Sequence, residues 1–174
     1  MRSIHIAAAL AALIAIPLAA PAAQGHQHLD DATIVAIFDA ANTADIETGL
    51  LAAERGSTDQ VRNFGRMLAN DHRNVRQQGR DLASKLGVTP TPPADSSAAV
   101  AHRATMRRLG ALSGTAFDRA FLEYEVAFHS SVIDAVTTTL LPAINNAEVK
   151  ALVEKVAPAF VGHQKAAEGM LARM

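Results

Sequence analysis

Three histidines and one glutamate stand where a helical core would ordinarily take an aliphatic side chain. His72 follows Leu68 by four residues and precedes Val75 by three. His129 falls in the series Leu122, Val126, His129, Ile133, Val136, Leu140, and His163 in the series Val149, Leu152, Val156, Phe160, His163, Ala167, Met170. Glu47 lies three residues after Ala44 and four before Leu51. Side chains three or four residues apart share one helix face, so all four are expected to point into a core. A buried imidazole or carboxyl group without a partner costs about 1 to 3 kcal/mol, and more when charged. A shared metal ion would supply that partner. Neutral imidazoles with one carboxylate suit zinc, iron, copper or manganese, so Glu47, His72, His129 and His163 form the candidate ligand set. Glu125, four residues before His129, reaches the same face and either orients that imidazole or joins it on the ion. The alternative needs no metal: a buried polar network that sets the register of the helices.

Four long helices must carry these residues. Asp30 and Asp31 are placed to start helix A, which runs to Arg55, and Gly56 ends it. Ser57 or Thr58 caps helix B, whose stripe is Val61, Phe64, Leu68, His72, Val75, Leu82 and Leu86 before Gly87. So short a connection makes the pair an antiparallel hairpin. Three prolines keep Val88 to Pro93 extended. Asp95 or Ser96 opens a short helix through Leu109, with His102, Arg103, Arg107 and Arg108 read as its solvated side. Helix C begins at Ser113 or Thr115 and closes near Pro142 and Asn145-Asn146, and helix D carries Val149 to Met170. Pro158 is expected to kink or split helix D. At about 1.5 Å per residue, His72 and His129 lie roughly 21 and 18 Å from their hairpin turns, Glu47 and His163 roughly 14 and 27 Å. The four meet only if one hairpin is displaced by about a turn. The fold expected is all-α: an antiparallel four-helix bundle with a short extra helix in the crossover between B and C.

Composition agrees and narrows the function. Of 174 residues, 49% are hydrophobic and only 4% aromatic, which suits closely packed, alanine-rich helices. The 16 basic and 17 acidic residues leave no basic excess for nucleic acid. With no cysteine, disulfides, thiolate catalysis and sulfur-ligated clusters are excluded. Arg2 and His5 precede an apolar run from Ile6 to Leu18 that ends in small residues and prolines, the pattern of a secretory signal peptide. Cleavage is expected after Ala22, or else Ala23. The run is short for a membrane span, although an uncleaved anchor is the alternative. The domain organisation expected is a signal peptide over 1–22, a flexible leader over 23–30 containing His26 and His28, and one helical domain over 31–174.

Ala44-Asp45-Ile46-Glu47, Phe64 through His72 (Phe-Gly-Arg-Met-Leu-Ala-Asn-Asp-His), Leu112 through Asp118 (Leu-Ser-Gly-Thr-Ala-Phe-Asp), His129 and His163 resemble a family of bacterial exported proteins. These carry the domain of unknown function numbered 4142 and are often labelled outer membrane proteins. The resemblance spans Ile34 to Leu171 and implies a ferritin-like bundle in the cell envelope, without a settled activity. The chain departs from the ferritin di-iron pattern, because Ala69, Val126 and Phe160 stand three residues before the histidines and no Glu-x-x-His pair exists. Di-iron oxidase chemistry is disfavoured, and a non-enzymatic role is the better expectation. The expected function is that of an exported envelope protein, periplasmic or outer-membrane-associated, holding one transition ion in its core. The alternative is a metal-free structural or stress-related interaction module, with an envelope partner or a second copy as its open partner.

Overall fold

The computed structural model describes residues 29–93 and 97–174. The signal peptide expected over 1–22, the part of the expected leader up to His28, and the capping role expected of Asp95 or Ser96 lie outside the described residues. Six α-helices follow one another: α1 (Asp31–Arg55), α2 (Asp59–Leu86), α3 (Ser97–Gly110), α4 (Gly114–Ala135), the short α5 (Leu141–Ala143) and α6 (Ala147–Leu171). A π-helical turn, Val136–Leu140, joins α4 to α5. Helix α1 packs along α2 and α4 along α6, while α2 meets α6 and α1 meets α4 across the middle. This is an antiparallel four-helix bundle with α3 lying in the crossover.

Local chemistry sets the ends of these helices. The Asp30 carboxylate accepts from the Thr33 N–H at 2.8 Å and the Thr58 hydroxyl from the Val61 N–H at 3.2 Å, satisfying amides that have no helical acceptor. Gly87 ends α2 at φ 66°, a left-handed conformation that costs glycine little. Asn146 caps α6 through the Glu148 and Val149 amides. Two buried or half-buried acids tie one hairpin to the other. Asp31 accepts from the Asn145 and Asn146 amides, and Asp118 accepts from the Ser57 amide at 2.8 Å and its hydroxyl at 2.6 Å. Arg55 donates to the Gly110 and Leu112 carbonyls that α3 leaves open at its end.

Helix α6 continues unbroken through Pro158. The residue is solvent-exposed, so the carbonyl it leaves without an amide, that of Glu154, lies on the outer side of the bundle. Helix α4 departs from regularity where the sequence shows three consecutive threonines. Thr137 donates to the Ile133 and Asp134 carbonyls and Thr138 to Asp134, serving acceptors that the wider π turn disturbs.

The hairpin of α1 and α2 closes to backbone contact. A Cβ added at Gly65 would stand 2.5 Å from the Gly49 carbonyl oxygen and 2.7 Å from the Ala53 nitrogen, neither of which can swing aside. Gly65→Ala is therefore expected to cost about 1 to 3 kcal/mol. Gly162→Ala, on a helix face with nothing within 4 Å, should instead gain up to about 1 kcal/mol from helix propensity. Thermal melts of the two variants check this. Equal melting temperatures would contradict the close approach.

The core falls into two apolar blocks. One contains Val61, Phe64, Leu68, Leu109, Phe117, Phe121, Leu122, Ala167 and Met170; the other contains Ile34, Val35, Ala83, Val136, Leu140, Val149 and Val153. On each long helix the two blocks leave a gap. That gap holds buried polar residues.

Candidate metal centre

Asp45, His72, His129 and His163 occupy these gaps, one on each long helix. Asp45 and His129 are fully buried, His72 is 1% exposed and His163 is 6% exposed. The imidazoles form a triangle, with ring centroids 5.7 Å apart for His72 and His129, 5.1 Å for His72 and His163, and 5.4 Å for His129 and His163. Asp45 closes it: its Oδ2 lies 3.2 Å from His72 Nε2 and 3.8 Å from His129 Nε2. Phe160 seals one side, with its ring centroid 5.2 Å from that of His72 and 6.0 Å from that of His129.

Each imidazole is held by one nitrogen and leaves the other bare. His72 Nδ1 lies 2.9 Å from Asn42 Oδ1, His129 Nδ1 lies 2.9 Å from the Glu125 carbonyl, and His163 Nε2 lies 3.1 Å from Asp71 Oδ2. All three acceptors fix the tautomer by taking the proton, so the opposite nitrogen carries a lone pair. Those opposite atoms, His72 Nε2, His129 Nε2 and His163 Nδ1, are buried without a hydrogen-bond partner, as are both oxygens of Asp45. Even the 3.2 Å approach of Asp45 to His72 is not aligned as a hydrogen bond.

Glu125 completes the layer. It is fully buried, accepts from the Thr48 hydroxyl at 2.8 Å through Oε1, and keeps Oε2 bare at 3.5 Å from His129 Nδ1. Among the described residues two groups place one donor atom from each member within 4.8 Å of the others: His72, His129 and His163, and Asp45, Glu125 and His129. A tetrahedral ion with bonds of 2.0 to 2.2 Å sets its donors about 3.4 Å apart, so shifts on the order of 1 Å would complete the shell.

Burial drives His72, His129, Glu125 and Asp45 toward their uncharged forms. Desolvation, reinforced by the other two imidazoles, pulls His72 down to about 3, and desolvation, partly opposed by the bond to the Glu125 carbonyl, pulls His129 down to about 4. Desolvation pushes Glu125 up to about 7 against the hydrogen bonds it receives, and burial with the Glu125 charge raises Asp45 well above the usual carboxylate range. At neutral pH His72 and His129 are thus in their ligating state. Both carboxyl groups are shifted toward the protonated form, and a cation would displace those protons.

Of the residues expected from spacing, His72, His129 and His163 come together, with Glu125 beside them, but Glu47 does not. Its side chain is half exposed on the opposite side of α1 and accepts from His102 Nε2 of α3 at 2.7 Å. Two residues along a helix is a rotation of about 200°, so when Asp45 faces the core Glu47 must face away. His102, read as solvated, is correspondingly half-buried against α1. Asp45, Asn42 and Thr48 are the residues that spacing missed. Asn42 and Asp45 stand at three-and-four spacing with Phe38, Gly49 and Ala52, and that series, ending on the small residues that face α2, was the available signal.

The fold and the buried layer define a class: antiparallel four-helix bundles with a layer of polar side chains buried in the core. Within it, the chain belongs to the family "Domain of unknown function (DUF4142)", which matches residues 17–170. Two solved structures share the fold. A DUF305 fragment from Deinococcus radiodurans superposes with TM-score 0.72 at 21% identity, covering 82% of this chain and 95% of that one. CopM in its Cu(II)-bound form superposes with TM-score 0.64 at 12% identity, covering 83% and 98%. No curated protein sequence matches the chain.

Proposed function

We propose that this is an exported envelope protein that binds one transition-metal ion inside its bundle through His72, His129, His163 and Asp45, with Glu125 beside the ion. The observation that carries the reading is the pairing of roles on each imidazole: one nitrogen anchored, the other bare and buried, beside the neighbouring carboxyl groups of Asp45 and Glu125. A purely structural network has no reason to leave three imidazole nitrogens unsatisfied beside two buried carboxyl groups, since each such nitrogen costs about 1 to 3 kcal/mol. An ion satisfies them together. The donor set contains no sulfur, which favours Cu(II), Zn(II), Fe(II) or Mn(II) over Cu(I). The copper(II) complex of a bundle of the same fold supports testing copper first. Export rests on the apolar N-terminal run, and no described helix is long and apolar enough to cross a membrane.

The test is metal analysis of untagged protein, dialysed against EDTA and reloaded with Cu(II) or Zn(II). One equivalent retained through desalting, and lost in His72→Ala, is the expected result. A wild type that retains none, with unchanged melting on added metal, would reject the site.

A further inference from the structure

The buried polar layer borders four seams between neighbouring helices, and three of them are shut by buried groups. Between α1 and α2, Asn42 is fully buried against His72, and Gly49 and Gly65 bring the two backbones together. Between α1 and α4, the Thr48 hydroxyl donates to the Glu125 carboxyl group, and both residues are fully buried. Between α4 and α6, the buried Phe160 ring lies against His129 and His72. Along the bundle axis the two apolar blocks of the core stand on either side of the layer. The seam between α2 and α6 is different. A polar contact closes it, from His163 Nε2 to Asp71 Oδ2 at 3.1 Å, and the Asp71 side chain is 47% exposed. His163 is also the least enclosed of the four donors: its side chain is 8% exposed, against 2% for His72 and 0% for His129 and Asp45.

We propose that the metal ion enters and leaves between α2 and α6, with the Asp71 carboxylate as its first ligand and the His163 imidazole as a movable door. This rests on the metal site proposed above and adds its route. A half-exposed carboxylate attracts a hydrated divalent cation and offers it an oxygen donor at the surface. Engaging that carboxylate loosens its hold on the His163 Nε2–H, the contact that pins the ring. Rotation of the imidazole about its side-chain bonds then clears the way to His72 Nε2, His129 Nε2 and Asp45, and its return presents Nδ1 to the ion. The other two imidazoles are not placed for this. Their anchors, the Asn42 side chain and the Glu125 carbonyl, belong to residues buried with them.

The test is the rate of loading, followed by stopped flow as Cu(II) quenches the fluorescence of Tyr124, the one tyrosine in a chain without tryptophan. Asp71→Asn keeps an oxygen to accept from His163 Nε2–H but removes the charge. It is expected to slow loading at least about tenfold and to slow release into excess EDTA by the same factor, so that Kd moves less than about threefold. Asp81→Asn removes the same charge from an exposed position of the same helix, where the carboxylate accepts from Gln77, and should leave both rates within about twofold of wild type. Loading of Asp71→Asn at the wild-type rate would overturn the route, as would equal slowing in the two variants, which marks a general charge effect. A weakened Kd with an unchanged loading rate would also overturn it, since Asp71 would then only orient the imidazole. In each of these outcomes wild type still retains copper and the metal site stands; a wild type that retains none overturns site and route together.

Discussion

His129→Leu is expected to abolish retention of the metal ion while leaving the metal-free protein as stable as wild type or more so. Leucine approximates the volume of the imidazole and packs against Phe128 and Phe160, whose rings already lie 5.9 and 6.0 Å from that of His129. It also removes a buried nitrogen that has no partner in the metal-free chain. Replacing an unsatisfied buried polar group by a well-packed apolar one is neutral or gains on the order of 1 kcal/mol. His129→Ala is the contrast, because it leaves a cavity at the centre of the bundle and is expected to cost about 3 kcal/mol, or about 10 °C in melting temperature. The loss of one of four donors should weaken metal binding at least about 100-fold in both. Melting curves with and without Cu(II) or Zn(II) check all of this. For wild type, metal at 100 times its Kd adds about 2.7 kcal/mol, and for the two variants the same concentration should add no more than about 0.4 kcal/mol. A leucine variant still stabilised by metal would contradict the role given to His129. A leucine variant as unstable as the alanine one would contradict the unsatisfied state of its imidazole.

Metal affinity is expected to rise with pH up to about 7 and then level off. The ion requires deprotonated carboxylates, and in the metal-free protein Glu125 holds its proton up to about 7 while Asp45 is also raised. Each proton displaced contributes about tenfold per pH unit below that point. His72 and His129 contribute no such slope near neutrality, because they stay neutral until about 3 and 4. Glu125→Gln should therefore flatten the curve between pH 5 and 7. The same group sets an opposite trend in the stability of the metal-free chain. Its folded pKa lies above its unfolded value of 4.5, so its contribution is full below 4.5 and is lost as pH rises through 7, about 3 kcal/mol in all. The two imidazoles, depressed from 6.5, lose stability in the other direction as pH falls below 6.5. Competition titrations with a chelator of known affinity from pH 5 to 8 give the first curve, and melts of wild type against Glu125→Gln give the second. An affinity independent of pH across that range would contradict protonated carboxyls at the site.

The hairpins, the crossover helix and the three histidines were legible because strongly patterned helices announce which face is buried. Leu68 and Val75 bracket His72, Val126 and Ile133 bracket His129, and Phe160 and Ala167 bracket His163. Helix α1 gave no such answer. Its alanines and isoleucines are spread around the axis, so a stripe through Ala44, Glu47 and Leu51 looked as apolar as the one through Asn42, Asp45 and Gly49 that is buried. Hydrophobic periodicity is blind to a core face made of asparagine, aspartate, threonine and glycine. The decisive physical fact was between helices. Gly49 and Gly65 bring the two backbones into contact, and this rotates Asp45 inward and Glu47 out to His102. The unbroken course of α6 through Pro158 had a similar cause, since a proline on the outer face loses its hydrogen bond where no packing depends on it.

In the proposed complex one ion sits between four helices on three imidazole nitrogens and the Asp45 carboxylate. Anomalous diffraction from crystals of the untagged protein loaded with one equivalent of Cu(II) or Zn(II) tests it most directly. A single strong peak is expected about 2.0 to 2.2 Å from His72 Nε2, His129 Nε2, His163 Nδ1 and an Asp45 oxygen. A peak at Glu47 and His102, or at the surface with the buried layer unchanged, would contradict it.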